Sequence, residues 1–359
     1  MASGTLRIAV VGLGFGARVQ LPVLCDHPQT AVTAVCSGTL ERAKATAAQF
    51  GIPHYSDDFR ECVKRADVDL VSIVTPPHLH MPIALAALKA GKHVLCEKPF
   101  ALSVAQARRM VDSAKRARLA GFLDHEFRYI PVRLRAKALV DHGWLGTVER
   151  IMIVEATPWM HGSSTLRHGW QSRAQTGGGV LGALGSHYID YCRWLAGDVC
   201  EVKATLQTRV RKRAKPEGGT AAVDADDNFS LTLETAGGAL ASIELTATAS
   251  TEFFSSIFIS GTKGGLHIRD DKEIFGLRAG RDPVLVTAPG RFPRRFAAGH
   301  RLSGPFYTLV TEMLDHLAGK PSSVPTFEDG LKVQEVLDAA RRSAKSGRAV
   351  RLAVPRRRP

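Results

Sequence analysis

Residues 6–24 read LRIAVVGLGFGARVQLPVL, and this stretch leaves the chain few choices of fold. Leu6, Ile8, Val10 and Val11 make a buried strand. Gly12 and Gly14, with Phe15 between turn and helix, allow a tight turn in which backbone N–H groups approach a pyrophosphate. The helix that follows presents the positive end of its dipole to the same anion. Ala17 stands at the third glycine position, a replacement the fingerprint tolerates. Farther on, residues 93–100 read HVLCEKPF. That places Lys98 just past another strand, at the sheet edge where open α/β folds bind ligands.

The first 124 residues alternate between strand and helix patterns. Strands are predicted at 32–36, 70–74, 93–96 and 121–123. Helices are predicted at 40–50, closed by Gly51, at 82–90, closed by Gly91, and from a Ser103/Gln106 capping box to about Arg118. Such alternation with short connections implies a parallel, doubly wound sheet. The pattern then changes. An extended segment at 148–156 leads into a glycine- and tryptophan-rich loop, about 157–179, and a helix over 180–195. Between Glu201 and about Val286, successive strands are separated by tight turns, among them 228–234, 239–247, 253–260 and 266–268. Two helices close the chain, near 305–317 and 329–345. RKRAKPEGG at 211–219 is read as a polar loop.

The fold expected is therefore α/β: an N-terminal Rossmann dinucleotide-binding domain over 1–124, and a C-terminal α+β domain over 125–359. The second is built on an open, mainly antiparallel sheet, and the last helix is expected to pack back on the first domain. A chain of 359 residues, 45% hydrophobic and 23% charged, suits two packed domains. The net charge of +14 is dispersed. Its dense runs are RVRKRAK at 209–215 and the terminal RRRP, so a solvated basic surface is expected and no nucleic-acid partner. Six cysteines show no metal or redox spacing, which fits reduced thiols and a cytoplasmic setting. The start lacks a basic segment followed by an apolar one, and no apolar run is long enough to span a membrane.

In order and spacing, several segments resemble the glucose-fructose oxidoreductase, inositol dehydrogenase and rhizopine-catabolism (Gfo/Idh/MocA) family. They are GLGFGARVQLP at 12–22, TPPHLH at 75–80, EKP at 97–99, FRYIP at 127–131, GGGVLGALGSHYID at 177–190, ISGTKGGL at 259–266 and the final EDGLKVQEVLDAARRSAKSG. The likeness covers nearly the whole chain. It implies a nicotinamide cofactor, a sugar, inositol or related polyol as substrate, and a homo-oligomer, dimer or tetramer, assembled through the C-terminal sheet. It also implies that Lys98 polarises a substrate oxygen, that His187 relays a proton, that Glu97 touches cofactor ribose or orients the lysine, and that Pro99 is a position often in cis.

The second strand speaks to cofactor type. An NAD site places an acid at its end, ~20 residues on, for the ribose 2′-OH. Here Ser37 and Gly38 hold that place, with Arg42 one turn into the next helix, so NADP(H) is favoured and NAD(H) remains possible. Thr75, Pro76 and His80 cap the cofactor crevice after the next strand. His78 and His80 have no carboxylate or cysteine companions, so no metal is expected. One feature departs from the family pattern. Many members carry an aspartate four residues before the histidine, and this chain has Ala183. Glu126, in DHEFRYIP, is a candidate replacement, and pairing with Arg128 is the alternative reading. The loop with Trp159, His161, Arg167, His168, Trp170 and Arg173 offers aromatic faces and cations for a sugar ring. Two other readings stand beside an NADP(H)-dependent oxidoreductase. One is a nicotinamide-dependent glycosidase-like enzyme; the other is a non-catalytic dinucleotide sensor.

Overall fold

A computed structural model describes residues 4–354, so the terminal RRRP lies outside the described residues. The chain divides into two compact units. The first runs to Tyr129 and takes in Gly290–Leu331; the second takes Ile130–Pro289 and the described chain from Lys332 onward.

The first unit holds strands β1 (Leu6–Val11), β2 (Thr30–Cys36), β3 (His54–Ser56), β4 (Leu70–Ile73), β5 (His93–Cys96) and β6 (Gly121–Leu123). Their order is β3-β2-β1-β4-β5-β6, and every pairing is parallel. The order reverses between β1 and β4, so the strand ends Val11 and Ile73 open at the switch point where such sheets take ligands. The central strands are buried on both faces, as parallel strands covered by helices must be. Helix Leu40–Phe50 starts where Thr39 accepts the Arg42 N–H and stops at left-handed Gly51. Helix Val104–Ala117 starts where Ser103 accepts the Gln106 N–H. Sequence periodicity missed β3 and helix Phe59–Lys64, a three-residue edge strand and a six-residue helix too short to show a period.

The returning segment closes this unit's core. Leu123 N–H donates to the Pro325 carbonyl at 2.8 Å, and Phe122 bridges to Thr326. The Phe327 ring lies 4.6 Å from that of Phe100 and fills the space over Gly121, where a Cβ would meet it at 2.5 Å.

The second unit carries β7 (Val148–Ala156), β8 (Val199–Gln207), β9 (Lys212–Ala214), β10 (Thr220–Ala222), β11 (Asn228–Thr235), β12 (Leu240–Thr246), β13 (Phe254–Gly261), β14 (Gly264–Arg269), β15 (Glu273–Leu277), β16 (Val284–Leu285) and β17 (Val350–Arg351). Nine of them form one sheet in the order β16-β15-β14-β13-β7-β12-β11-β8-β17. All its pairings are antiparallel except β7 with β12, which makes the sheet mixed. One face is apolar and buried through Ile151, Ile153, Leu231, Ile243 and Ile257. The other leaves Met152, Val154 and Phe254 exposed. β9 and β10 pair as a separate hairpin, which corrects the reading of 211–219 as a plain polar loop. Its turn is glycine-rich, and its strands are three residues each, below what an alternating pattern reveals. Among the described residues no helix is long and apolar enough to cross a membrane.

Candidate active site

The glycine turn sits at the end of β1. Gly12 donates its N–H to the Cys36 carbonyl at 2.9 Å and adopts φ +107°. A Cβ there would lie 2.3 Å from the Val74 carbonyl oxygen, so only glycine fits. Gly14 is exposed, and a Cβ on it would meet nothing within 4 Å. Gly16 is buried with Val10 and Val74 about its α-carbon, while Ala17 is half-buried. The close helix-to-strand approach thus falls one residue before the position assigned from the fingerprint.

Ser37 is buried at the end of β2, and Gly38 is exposed with open space at its α-carbon. Arg42, in the helix that follows, donates from Nη2 to the Leu13 carbonyl at 2.6 Å. That bond ties the second-strand corner to the glycine turn. Past β4, the Thr75 hydroxyl oxygen is buried without a hydrogen-bond partner. The open backbone at Gly14 and Gly38 and the orphaned Thr75 hydroxyl fit a dinucleotide. The first two admit phosphate and ribose to N–H groups, and the third seeks a polar ligand atom. His80 turns inward. Its ring nitrogens face the carbonyl oxygens of Thr75 at 2.8 Å and Pro99 at 3.1 Å, and burial drives its pKa down to about 4. It pins the Thr75–Pro76 turn to the EKP segment. Among the described residues no group of three or more His, Cys, Asp or Glu is placed to hold a metal.

EKP follows β5 directly, and the Lys98–Pro99 peptide is cis. Lys98 is half-buried. Beneath it lies a network that sequence reading did not find. Gln20 donates from Nε2 to Glu97 Oε1 at 3.1 Å and to Asp124 Oδ2 at 2.9 Å, while its Oε1 accepts from the Ser72 hydroxyl at 2.6 Å. Glu126 is fully buried nearby. Burial raises all three carboxyls. Glu97 is raised against the opposing pull of Lys98; Asp124 goes well above its ordinary value with Glu126 and Glu97 adding; Glu126 rises to about 7. Arg128 donates to the Ser323 carbonyl at 3.2 Å and to Asp329 at 3.3 Å, anchoring the returning segment.

In the second unit, His187 is buried as the second residue of helix Ser186–Ala196, behind a π-helical turn, Leu181–Gly185. The glycine run before it has a packing reason. Gly179, at φ +103°, leaves room for Asp226, whose Oδ1 would sit 2.3 Å from a Cβ there. Asp226 Oδ2 then accepts the Leu181 N–H at 2.6 Å, capping the turn that leads to His187. Burial raises the Asp226 pKa to about 6. Ala183 occupies that turn, its N–H on the Gly179 carbonyl. Tyr188, next to His187, donates to Glu155 and accepts from Arg133 at 3.2 Å. Arg133 in turn makes a two-pronged bond to Asp271 at 2.7 and 3.0 Å.

The loop residues Trp159 and Trp170 are half-buried. What holds their loop is the basic hairpin. Arg213 donates to the Met160 carbonyl at 2.6 Å and to Ser164 at 3.3 Å, and His168 meets the hairpin at Ala214 and Ala222. Part of the 209–215 charge run therefore braces this loop.

Residues 6–125 match the family described as an oxidoreductase family with an NAD-binding Rossmann fold, and residues 134–267 match the GFO/IDH/MocA C-terminal domain. An uncharacterized oxidoreductase from a Synechocystis strain is 30% identical over 95% of this chain and 94% of its own. The chain belongs to the Gfo/Idh/MocA oxidoreductase family. Among other Gfo/Idh/MocA relatives, levoglucosan dehydrogenase from Pseudarthrobacter phenanthrenivorans is 30% identical over 63% of this chain and 62% of its own. The crystal structure of an NAD-binding oxidoreductase from Klebsiella pneumoniae superposes with a TM-score of 0.87 at 27% identity, covering 98% of this chain and 100% of that one. The glycine turn at Gly12 and the switch point beside it lie within the segment that matches the Gfo/Idh/MocA Rossmann-fold family.

Proposed function

We propose that this family member moves a hydride between NADP(H) and a hydroxyl or keto carbon of a sugar, inositol or related polyol. The observation that carries the reading is Lys98. It stands at the carboxyl end of β5, in a sheet whose β1 ends in the glycine turn, above three buried carboxyls. A bound nicotinamide supplies or accepts the hydride. Lys98 donates to the substrate oxygen and favours its alkoxide character as the carbon is oxidised. His187 relays the proton, a role that rests on its sequence match and on the capping by Asp226 that fixes its helix. Glu126, buried and raised to about 7, is the candidate for the carboxylate function that Ala183 lacks.

The preference for NADP(H) rests on Ser37, which brings no charge to repel a 2′-phosphate, and on Arg42 one turn into the next helix. The sugar assignment draws on the name of the levoglucosan relative and on the Trp159–Trp170 loop. Self-association is assigned to the sheet face that exposes Met152, Val154 and Phe254.

Lys98→Met tests the reading. Against a panel of anhydrosugars, inositols and keto sugars, followed by nicotinamide absorbance, the variant should lose on the order of 100-fold in kcat. Its dinucleotide affinity should stay at the wild-type value. Turnover near wild type on a substrate the wild type accepts would defeat the assignment.

A further inference from the structure

The five residues before β11 read VDADD, and each acid gives its carboxylate to backbone N–H groups of a different segment. Asp227 roots the stretch in the large sheet. Its N–H donates to the Gln207 carbonyl at 2.9 Å, and its carbonyl accepts the Ala247 N–H at 3.0 Å. Its carboxylate oxygens accept the Arg209 and Val210 N–H groups, each at 2.8 Å. Asp224 and Asp226 therefore extend from a fixed point. Asp226 takes the turn before His187. Its carbonyl accepts the Val180 N–H at 2.8 Å, and its Oδ2 accepts that of Leu181 at 2.6 Å. Asp224 takes the tryptophan loop. Its Oδ1 accepts the Ala174 N–H at 2.8 Å, and its own N–H donates to the Ser172 carbonyl at 3.2 Å.

The loop beside Asp224 is folded on itself. The Thr176 hydroxyl donates to the Trp170 carbonyl at 2.7 Å, and the Gly178 N–H donates to the Arg173 carbonyl at 3.0 Å. A Cβ at Gly178 would lie 2.5 Å from the Gln171 carbonyl oxygen, so the two ends of this turn touch. Such a turn keeps its own shape, but its place on the sheet depends on bonds from outside it. Those bonds run from Asp224 and from Ala225, whose N–H also reaches the Ser172 carbonyl, at 3.4 Å. We infer that Asp224 and Asp226 are positioning residues with separate tasks: Asp224 sets where the Trp170 turn meets substrate, and Asp226 sets where the turn before His187 delivers the imidazole. This rests on the dehydrogenase reading. The two tasks leave different kinetic marks. A loop that holds substrate equally before and during reaction governs KM, while the aim of a proton relay governs kcat.

The test begins with the full-length protein and no substrate. Amide hydrogen exchange should find the Ala174 and Leu181 N–H groups protected in wild type, because each donates to a carboxylate. Asp224→Ala should speed exchange at Ala174 about fivefold or more and leave Leu181 unchanged, and Asp226→Ala should do the reverse. Asp224→Asn and Asp226→Asn keep an acceptor oxygen and should restore most of the protection. Wild-type amides that exchange as fast as in the unfolded chain overturn the inference with no variant needed. So does a variant that loosens both amides equally. The second arm is steady-state kinetics. Asp224→Ala should raise KM about fivefold or more with kcat within about twofold, and Asp226→Ala should lower kcat about tenfold with KM within about twofold. Equal losses in both parameters from both variants would mark a merely structural role and overturn the assignment. If no sugar-like substrate turns over but the exchange pattern holds, the dehydrogenase reading fails and the two tethers stand.

Discussion

Gly12 and Gly14 lie two residues apart, and alanine at each should separate folding from binding. At Gly12 the new Cβ would start 2.3 Å from the Val74 oxygen, while real Cβ contacts do not fall below 3.0 Å. The turn must therefore move by at least about 0.7 Å against β4. Alanine at φ +107° adds about 1–3 kcal/mol of backbone strain. Gly12→Ala should lose at least that much stability in urea denaturation, with cofactor binding falling alongside. At Gly14 the Cβ meets no protein atom within 4 Å. Its stability should change by less than about 0.5 kcal/mol, as at an ordinary surface site. The methyl instead occupies the space through which backbone N–H groups reach a phosphate. Losing one charge-assisted bond costs about 1.5–3 kcal/mol, or roughly ten- to a hundredfold in Kd. Fluorescence titration with NADPH and NADH reads this directly. A Gly14→Ala protein that folds normally and binds both dinucleotides with wild-type affinity would refute the placement of the pyrophosphate.

Ser37→Asp should weaken NADPH binding at least tenfold and spare NADH, as read by parallel titrations; equal losses would count against the 2′-phosphate pocket. Arg133→Met strands the buried Asp271 carboxylate and should cost about 3–5 kcal/mol in urea denaturation, with Asp271→Asn in the same chain recovering most of it. A loss below about 1 kcal/mol would show that the pair is not isolated from water. For pH, Glu126 and Asp226 have native pKa values of about 7 and about 6, above the unfolded 4.5 and 3.8. The native state then holds protons that the unfolded state has released, so their contribution to stability falls as pH rises from about 4 to 7. Thermal melting across that window should show the decline relative to Glu126→Gln and Asp226→Asn, and a contribution that grows with pH would contradict it.

The parallel sheet was readable because its strands are continuous apolar runs punctuated by Gly51, Gly91 and capped helix starts. These are local signals. The candidate residues Gly12, Ser37 and Lys98 could be found for the same reason, since each sits at a strand end that periodicity marks, and Arg42 follows in the first turn of the next capped helix. Gln20 could not. Its partners Glu97 and Asp124 are 77 and 104 residues away, and nothing near Gln20 announces a buried amide. Arg213 shows the opposite failure. A run of basic residues reads as solvated charge, but one guanidinium finds the Met160 carbonyl in the tryptophan loop and is buried. The capping of the His187 helix by Asp226 was hidden likewise, because only the fold brings residue 226 to Gly179.

The bridge from Phe122 to Thr326 and the seat of Phe327 on Phe100 also set a timetable for synthesis. The ribosome completes every strand of the parallel sheet by Leu123, then makes the whole of Ile130–Pro289 before the closing segment exists. At about 5–20 residues per second, the wait for the roughly two hundred residues between Leu123 and Phe327 lasts about 10–40 s. Throughout it, the slot over Gly121 and the Phe100 ring stay uncovered on the nascent chain. A fragment ending near Tyr129 should therefore behave as a client for holding chaperones rather than as a free-standing nucleotide-binding domain.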